Sequence, residues 1–411
     1  IVTATKEPRV LKEVPVRTEV ISKQQLEKAG ATDLYNVLDD VPGVRVESQC
    51  SNCNFTQVRM SGLDGGYAEM LIDGQPIFSG LAGVYGLQQL QSANVEQIEI
   101  VKGAGSALYG GNALGGVINV RMKEPGYTPG TRLGFEASEH GDMGMYFAGS
   151  MRRDLFAASW SFQHDYEADL DHTGNTSDFL ETGNFDDSGE DGYTDKVLSR
   201  NTGGGVKLWL TDPLGEGSRI NLFGRAMTEF RKGGYVDTYD DPFDPDAEHI
   251  NTDRYELGGN IDKSFGLSRN MSLAYTFTNH HRDATNGAAW DKAIDAGMVD
   301  DDIELTDAGQ TYIDEYGFDS FRATYYPKPF ISDEKMNFVD LSYTNPFPLG
   351  GEIMVGGQYR FSHLEQDING DPITDEKEAQ DMGVYTQIDF YPLGYDFEVV
   401  VGGRLDMHKS S

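Results

Sequence analysis

Four stretches of this chain alternate apolar and polar residues with a period of two. Met271, Leu273, Tyr275 and Phe277 interleave with Ser272, Ala274, Thr276 and Thr278, and Val339, Leu341 and Tyr343 with Asp340, Ser342 and Thr344. Ile220, Leu222 and Gly224 interleave with Asn221 and Arg225, and Phe397, Val399 and Val401 run against Glu398, Gly402 and Arg404. Period two is a strand with two unlike faces. A soluble sandwich hides the apolar face, whereas a transmembrane barrel turns it to lipid. The connections separate the two. Short turns at Arg152–Asp154, Asp212–Gly217, Phe265–Asn270, Asn345–Gly351 and Pro392–Tyr395 alternate with long loops at about Asp165–Leu198, Lys232–Asn251, Asp283–Asp333 and Glu365–Gln380. Short turns at one end and long loops at the other mark a barrel that crosses an outer membrane. Tyr and Phe near the strand ends suit its aromatic girdles. From Thr131 onward the pattern gives roughly eleven strands. No window reaches the ~18 apolar residues of a membrane helix, so a helical span is excluded while a strand-built one is not.

The first 125 residues read differently. Ser22 with Gln25 predicts a capping box opening a helix that Gly30 ends. A second helix near Thr32–Asp33 carries Leu34, Val37 and Leu38 on one face and stops at Pro42-Gly43. Val58 and Met60, then Glu69 and Leu71, fit short strands around turns at Gly62, Gly65-Gly66 and Asp73-Gly74. Ile98 to Met122 reads as strand, glycine-rich turns, strand. Lys102-Gly103 invites a P-loop reading, which fails because the lysine precedes the glycines and no Gly-Lys-Ser/Thr follows.

The phrases "DLYNVLDDVPGVRV" and "VEQIEIVKGAGSALYGGNALGGVINV" resemble the plug of TonB-dependent outer-membrane receptors. The resemblance implies an α+β plug domain, residues 6–125, inside a transmembrane antiparallel β-barrel. Plugged transporters have about 22 strands, so residues 131–411 would supply the first half, and an odd count cannot close by itself. Ile1, Val2, Thr3, Ala4 and Thr5 are similar to the end of a TonB box, a segment that would add a strand to a partner's sheet edge; a frayed terminus is the plainer alternative. No secretory leader precedes Ile1, which reads as a mature or trimmed start.

The implied location is the outer membrane of a Gram-negative cell, with outer-membrane lipid around the barrel. The implied partners are TonB with its inner-membrane energising complex and a metal-chelate, cobalamin or haem cargo. The phrasing sits nearest the siderophore and colicin receptor branch, which puts a ferric siderophore first and cobalamin or haem import by the same mechanism second. A reading of another class is a surface binding or signalling receptor without transport; such receptors carry a small domain ahead of the box. The resemblance implies no bond-making chemistry, and no nucleophile with a base is recognisable. The net charge of -34 argues against nucleic acid as a partner.

By position in such a plug, Gln49, Asn52, Phe55, Phe78 and Tyr85 are candidates for ligand contact on apical loops, against a reading as plain solvated connections. Arg59, Glu99, Lys102 and Arg121 are charges on strands inside a barrel and are expected to form ion pairs between plug and wall. Cys50 and Cys53 fit a disulfide in an oxidising compartment. A copper(I) site that adds Met60 or Met70, or two free thiols, remain open. No cofactor is required by the family, but the loop from Asp165 to Asp195 is dense in carboxylates. There Asn184, Asp186, Ser188, Gly189 and Asp195, with Glu190 beside them, fall at offsets like those of an EF-hand, a candidate Ca²⁺ site in an extracellular loop. Cobalamin receptors of this family are similar in ordering acidic outer loops with calcium. A solvated, self-repelling surface is the alternative.

Overall fold

The computed structural model describes residues 17–28, 35–48, 56–77, 94–103, 106–110, 113–171, 192–242, 244, 246–266, 268–286, 290–300, 304–325, 329–348, 350–367, 376–393 and 397–411. Those up to Met122 build an inner domain with seven strands: β1 (Thr18–Ser22), β2 (Val44–Ser48), β3 (Thr56–Met60), β4 (Ala68–Ile72), β5 (Gln75–Pro76), β6 (Val95–Lys102) and β7 (Gly116–Met122). Five of them form one sheet in the order β1-β6-β7-β4-β5, and β2 pairs with β3 apart from it. The two apolar runs of the Ile98–Met122 stretch become β6 and β7 and pair with each other, Ile98 opposite Val120 and Ile100 opposite Ile118. Their side chains, with Leu38, Met60 and Ile77, form the core. Half of the predicted capping box is present: the Ser22 N–H donates to Gln25 Oε1 at 2.9 Å, and the Ser22 hydroxyl donates to the same oxygen at 2.8 Å, as the helix Lys23–Lys28 begins. The helix Tyr35–Asp39 brings Val37 and Leu38 onto the sheet.

After a connection over 123–129, eleven antiparallel strands follow: β8 (Gly130–Ala137), β9 (Met143–Arg153), β10 (Phe156–Glu167), β11 (Leu198–Thr211), β12 (Ser218–Gly234), β13 (Ala247–Ser264), β14 (Asn270–Thr285), β15 (Phe330–Phe347), β16 (Gly351–Asp367), β17 (Lys377–Phe390) and β18 (Val399–Ser410). Each pairs with its neighbours in sequence, and among the described residues β8 and β18 are the two edges. The predicted short turns lie at one end of this wall. The opposite end carries the long loops 168–197, 235–246, 286–329 and 368–376 and one short turn, 138–142, that the pattern did not separate from its strands. Loop 286–329 has structure of its own. Its helices Asp291–Asp295, Asp307–Tyr316 and Phe318–Tyr325 enclose Ala293, Val299 and Phe321.

The faces of the wall are inverted relative to a soluble sheet. Leu257 is 61% exposed and Val384 66%, whereas Thr276 and Thr278 are 1% exposed and Glu256 4%. Polar positions are buried because the inner domain lies against that face, from β11 round to β18. Apolar positions form the outer surface, as a lipid-facing wall requires. Continuous strand pairing satisfies the backbone groups that hydrocarbon would leave without partners.

Candidate functional site: the seam between inner domain and wall

The β4–β5 hairpin turns at Asp73 and Gly74, whose φ angles are +50° and +82°. An Asp-Gly pair suits this turn because both central residues need positive φ. The turn directs Asp73 at the wall. Its Oδ1 accepts the Met122 N–H at 3.0 Å, its Oδ2 accepts from Lys207 Nζ of β11 at 2.8 Å, and Arg121 Nε lies 3.9 Å away. Burial would by itself raise the Asp73 carboxyl. The Lys207 and Arg121 charges and the two hydrogen bonds outweigh it and hold the group below the usual carboxylate range.

Further contacts on this side are also polar. Gln75 Nε2 donates to Gly259 O at 3.5 Å, and the Thr276 hydroxyl donates to Gln75 Oε1. Arg254 Nη2 donates to Ile77 O at 2.8 Å and also pairs with Glu256, which Arg225 Nε approaches to 2.8 Å. Below them Arg219 pairs with Glu124 at 2.9 Å. Between these contacts lies a cavity whose lining includes Asp73, Gln75, Ser159, Ser161, Gly205, Lys207, Arg225, Arg254, Glu256 and Asn260. Ser161 and Gly205 are partners across β10 and β11, and neither has a side chain large enough to fill the space.

The contact with β16, β17 and β18 has another chemistry. Met354 of β16 and Tyr385 of β17 join Leu71, Val101, Leu108, Tyr109, Ala113 and Val117 in one buried apolar cluster. Arg360 pairs with Glu69 at 3.1 Å, and Gln358 Nε2 donates to Leu108 O at 3.4 Å. The short helix Ser106–Tyr109 packs on β17 and β18, so closely that a methyl group on Gly402 would stand 3.0 Å from the Ala107 Cβ.

The described ion pairs of the four charges expected to bridge to the wall lie inside the inner domain instead. Arg59 pairs with Glu47 at 2.7 Å and Asp64 at 3.4 Å. Lys102 pairs with Glu19 at 2.7 Å and also donates to Pro42 O. Arg121 lies 4.0 Å from Glu99. The reason is topological: β6 and β7 are central strands, so Glu99, Lys102 and Arg121 meet neighbouring strands, while the β4–β5 edge reaches the wall. Asp73, Gln75 and Glu69 make the bridges. The Asp-Gly turn was a visible signal for Asp73, and a lone carboxylate in the run Ala68–Ile72 was one for Glu69.

At the outer end Asp142 Oδ1 accepts from Lys196 Nζ at 2.9 Å and from the Ala168 N–H at 3.0 Å. Burial opposes the Asp142 charge, but these donors and Ser138 hold its carboxyl below the usual range. Tyr239 donates to Asp169 Oδ2 at 2.7 Å, and burial with that carboxylate raises its hydroxyl. Of the proposed calcium ligands, Asp195 is exposed, and its N–H donates to Leu170 O at 2.7 Å. Asn184, Asp186, Ser188 and Glu190 lie outside the described residues, as do Ile1–Thr5, Gln49, Cys50, Asn52, Cys53, Phe55, Phe78 and Tyr85. Among the described residues no three acidic, histidine or cysteine side chains converge on a metal position. Met60 and Met70, the thioethers of the copper alternative, are packed in the inner core.

Residues 10–117 match the model of the TonB-dependent Receptor Plug Domain. The chain is 37% identical over 120 residues to the vitamin B12 transporter BtuB of Vibrio vulnificus, covering 29% of this chain and 20% of that protein. It is 29% identical over 161 residues to BtuB of Photobacterium profundum, covering 39% and 26%. In fold it is similar to the ferripyoverdine receptor of Pseudomonas aeruginosa, with a TM-score of 0.70 at 15% identity over 100% of this chain and 54% of that one. The alcaligin receptor FauA of Bordetella pertussis gives 0.66 at 14% identity, over 97% and 56%. The chain thus spans about half the length of these structures, and the matched segments take in about a quarter or less of the curated relatives. It consists of a TonB-dependent receptor plug domain followed by an eleven-stranded antiparallel sheet similar in fold to roughly half the barrel of such receptors.

Proposed function

We propose that the complete receptor imports a scarce metal-chelate nutrient across the outer membrane, with TonB supplying the work through the segment Ile1–Thr5. The observation that carries this reading is the plug's attachment to β11–β14 by side-chain ion pairs and hydrogen bonds such as Asp73–Lys207 and Gln75–Thr276. Such contacts exchange with water at a net cost of only about 0.5–3 kcal/mol each, so a pulled plug can part from that wall and return. No covalent step is involved. For the cargo, cobalamin has support from sequence, because the relatives matched in the plug are vitamin B12 transporters. Ferric siderophores are the second reading, supported by the phrasing of the plug motifs and by receptors alike in fold. The test is uptake by cells carrying the full-length receptor, with and without TonB, offered labelled cobalamin, ferric siderophores and haem in parallel. TonB-dependent accumulation of one cargo is expected. Binding with no accumulation in either strain would favour a receptor that signals without transport.

A further inference from the structure

The plug is fastened to the wall by unlike contacts on its two sides. Toward β16 and β17 it shares a buried apolar cluster with Met354 and Tyr385, beside the Glu69–Arg360 pair and the hydrogen bond from Gln358 to Leu108 O. Toward β11–β14 the described contacts are the polar ones of Asp73, Gln75 and the Ile77 carbonyl. There the apolar side chains Ile72, Val120 and Met122 of the plug and Phe223 and Met227 of the wall line a cavity. The polar character continues up the wall toward the outer loops. The hydroxyls of Thr252 and Thr278 and both ring nitrogens of His280 are buried on the plug-facing side without a hydrogen-bond partner among the described residues. His280 lies opposite Arg254 on β13, so this run of polar groups adjoins the cavity. Buried polar groups of this kind are satisfied by water or by a solute with its own donors and acceptors.

Separating the two sides has different costs. Water replaces polar partners one for one, so the β11–β14 contacts part at small net cost. Parting the β16–β17 side would also expose a joint apolar core to water, a cost that no new contact offsets.

We propose that the plug stays seated on β16–β17 during transport and parts from β11–β14, so that the solute passes along the cavity between the plug and that wall. This rests on the transport reading and adds to it the route and the chemistry of the route. Ser159, Ser161 and Asn260, with Lys207, Arg225 and Glu256, suit a water-soluble chelate rich in amide, hydroxyl or carboxylate groups.

Two tethers in the full-length receptor test it. Ala107→Cys with Gly402→Cys places two Cβ atoms 3.0 Å apart, about half an ångström inside disulfide range, so a small outward shift of the short helix admits the bridge on the apolar side. Asp73→Cys with Lys207→Cys, joined by a short bis-maleimide, ties the polar side. Each single-cysteine variant, treated alike, reports any linkage to Cys50 or Cys53. Initial uptake of radiolabelled cobalamin and of radiolabelled ferric enterobactin is measured before and after tethering. The Asp73–Lys207 tether is expected to abolish uptake in proportion to the fraction cross-linked, while the Ala107–Gly402 tether leaves uptake unchanged. Equal loss with both tethers, loss with the Ala107–Gly402 tether alone, or no loss with either overturns the route. If the parent receptor accumulates neither cargo, the transport reading fails for them, and the route is judged by labelling. A membrane-impermeant maleimide should then reach Ser161→Cys faster in energised cells than in de-energised ones, with Met354→Cys unchanged. The opposite preference, or no difference between the two, overturns it.

Discussion

Asp73 shows how one side chain can hold two domains together. One oxygen closes its own hairpin through Met122 while the other reaches Lys207 across the seam. Asp73→Asn keeps the shape and removes the charge, leaving Lys207 without a carboxylate. We expect a loss of about 1–3 kcal/mol in local stability, read as faster amide exchange at residues 70–77. The pH dependence follows from the lowered carboxyl. The group binds its proton less readily in the folded receptor than in an unfolded chain, so its stabilising effect is complete above the ordinary carboxylate range. It is lost only as pH falls through the lowered value. Amide protection over the hairpin, with the intrinsic pH dependence of exchange divided out, should therefore be constant from neutral to mildly acidic pH and fall in stronger acid, with Asp73→Asn poorly protected throughout. The turn itself was legible, since Asp-Gly between apolar runs has few other readings. Its partner was not, because 134 residues separate Asp73 from Lys207 and nothing local to either marks the pairing.

At the scale of elements, alternation carried most of the information. Each strand of the wall needs only its own period to declare two faces, and the lengths of the connections told which face meets lipid. A charge on the outward face tests this. Leu257→Lys, at the middle of β13, should cost about 2–4 kcal/mol if that position lies at the bilayer midplane. The loss should appear as reduced folded receptor in outer-membrane fractions, whereas Asp262→Asn on the opposite face should leave the yield unchanged. Loop 286–329 is where the pattern fell silent. Its helices were overlooked although Thr306 caps the second, accepting from the Gly309 N–H at 3.1 Å, and Gly317 ends it. Those signals were obscured by the acidic residues around them. Phe321 is the centre of that loop's small core. Phe321→Ala should remove about 3 kcal/mol of packing, making the loop cleavable by protease on intact cells while the amount of folded barrel stays constant. The assignment of Glu99, Lys102 and Arg121 to the wall failed for a reason of the same scale, whereas Arg59 sits on β3, outside the five-stranded sheet. Which strands of the inner sheet are central and which are edges depends on pairings between distant segments, and periodicity does not encode strand order.

For the molecule as a whole, the proposed coupling segment Ile1–Thr5 requires that work applied there travel through the plug to the seam. Val2→Pro removes a backbone donor and fixes φ, which should prevent strand pairing with TonB. Cargo should still bind to cells carrying that variant with unchanged affinity, while energy-dependent uptake stops; normal uptake would show that Ile1–Thr5 is not the coupling segment. The uneven fastening of the plug also sets how such a pull is resisted. Contacts loaded together share a force, as in shear, and yield only when all can fail at once. Contacts loaded in sequence yield singly, as when tape is peeled from one edge. With the apolar cluster as a fulcrum, a tug on the chain loads the Arg219, Lys207, Thr276 and Arg254 contacts as the successive stitches of a seam being opened. The wall is thereby spared the full load, and a modest pull sustained for longer can do what a brief strong one would otherwise be needed for.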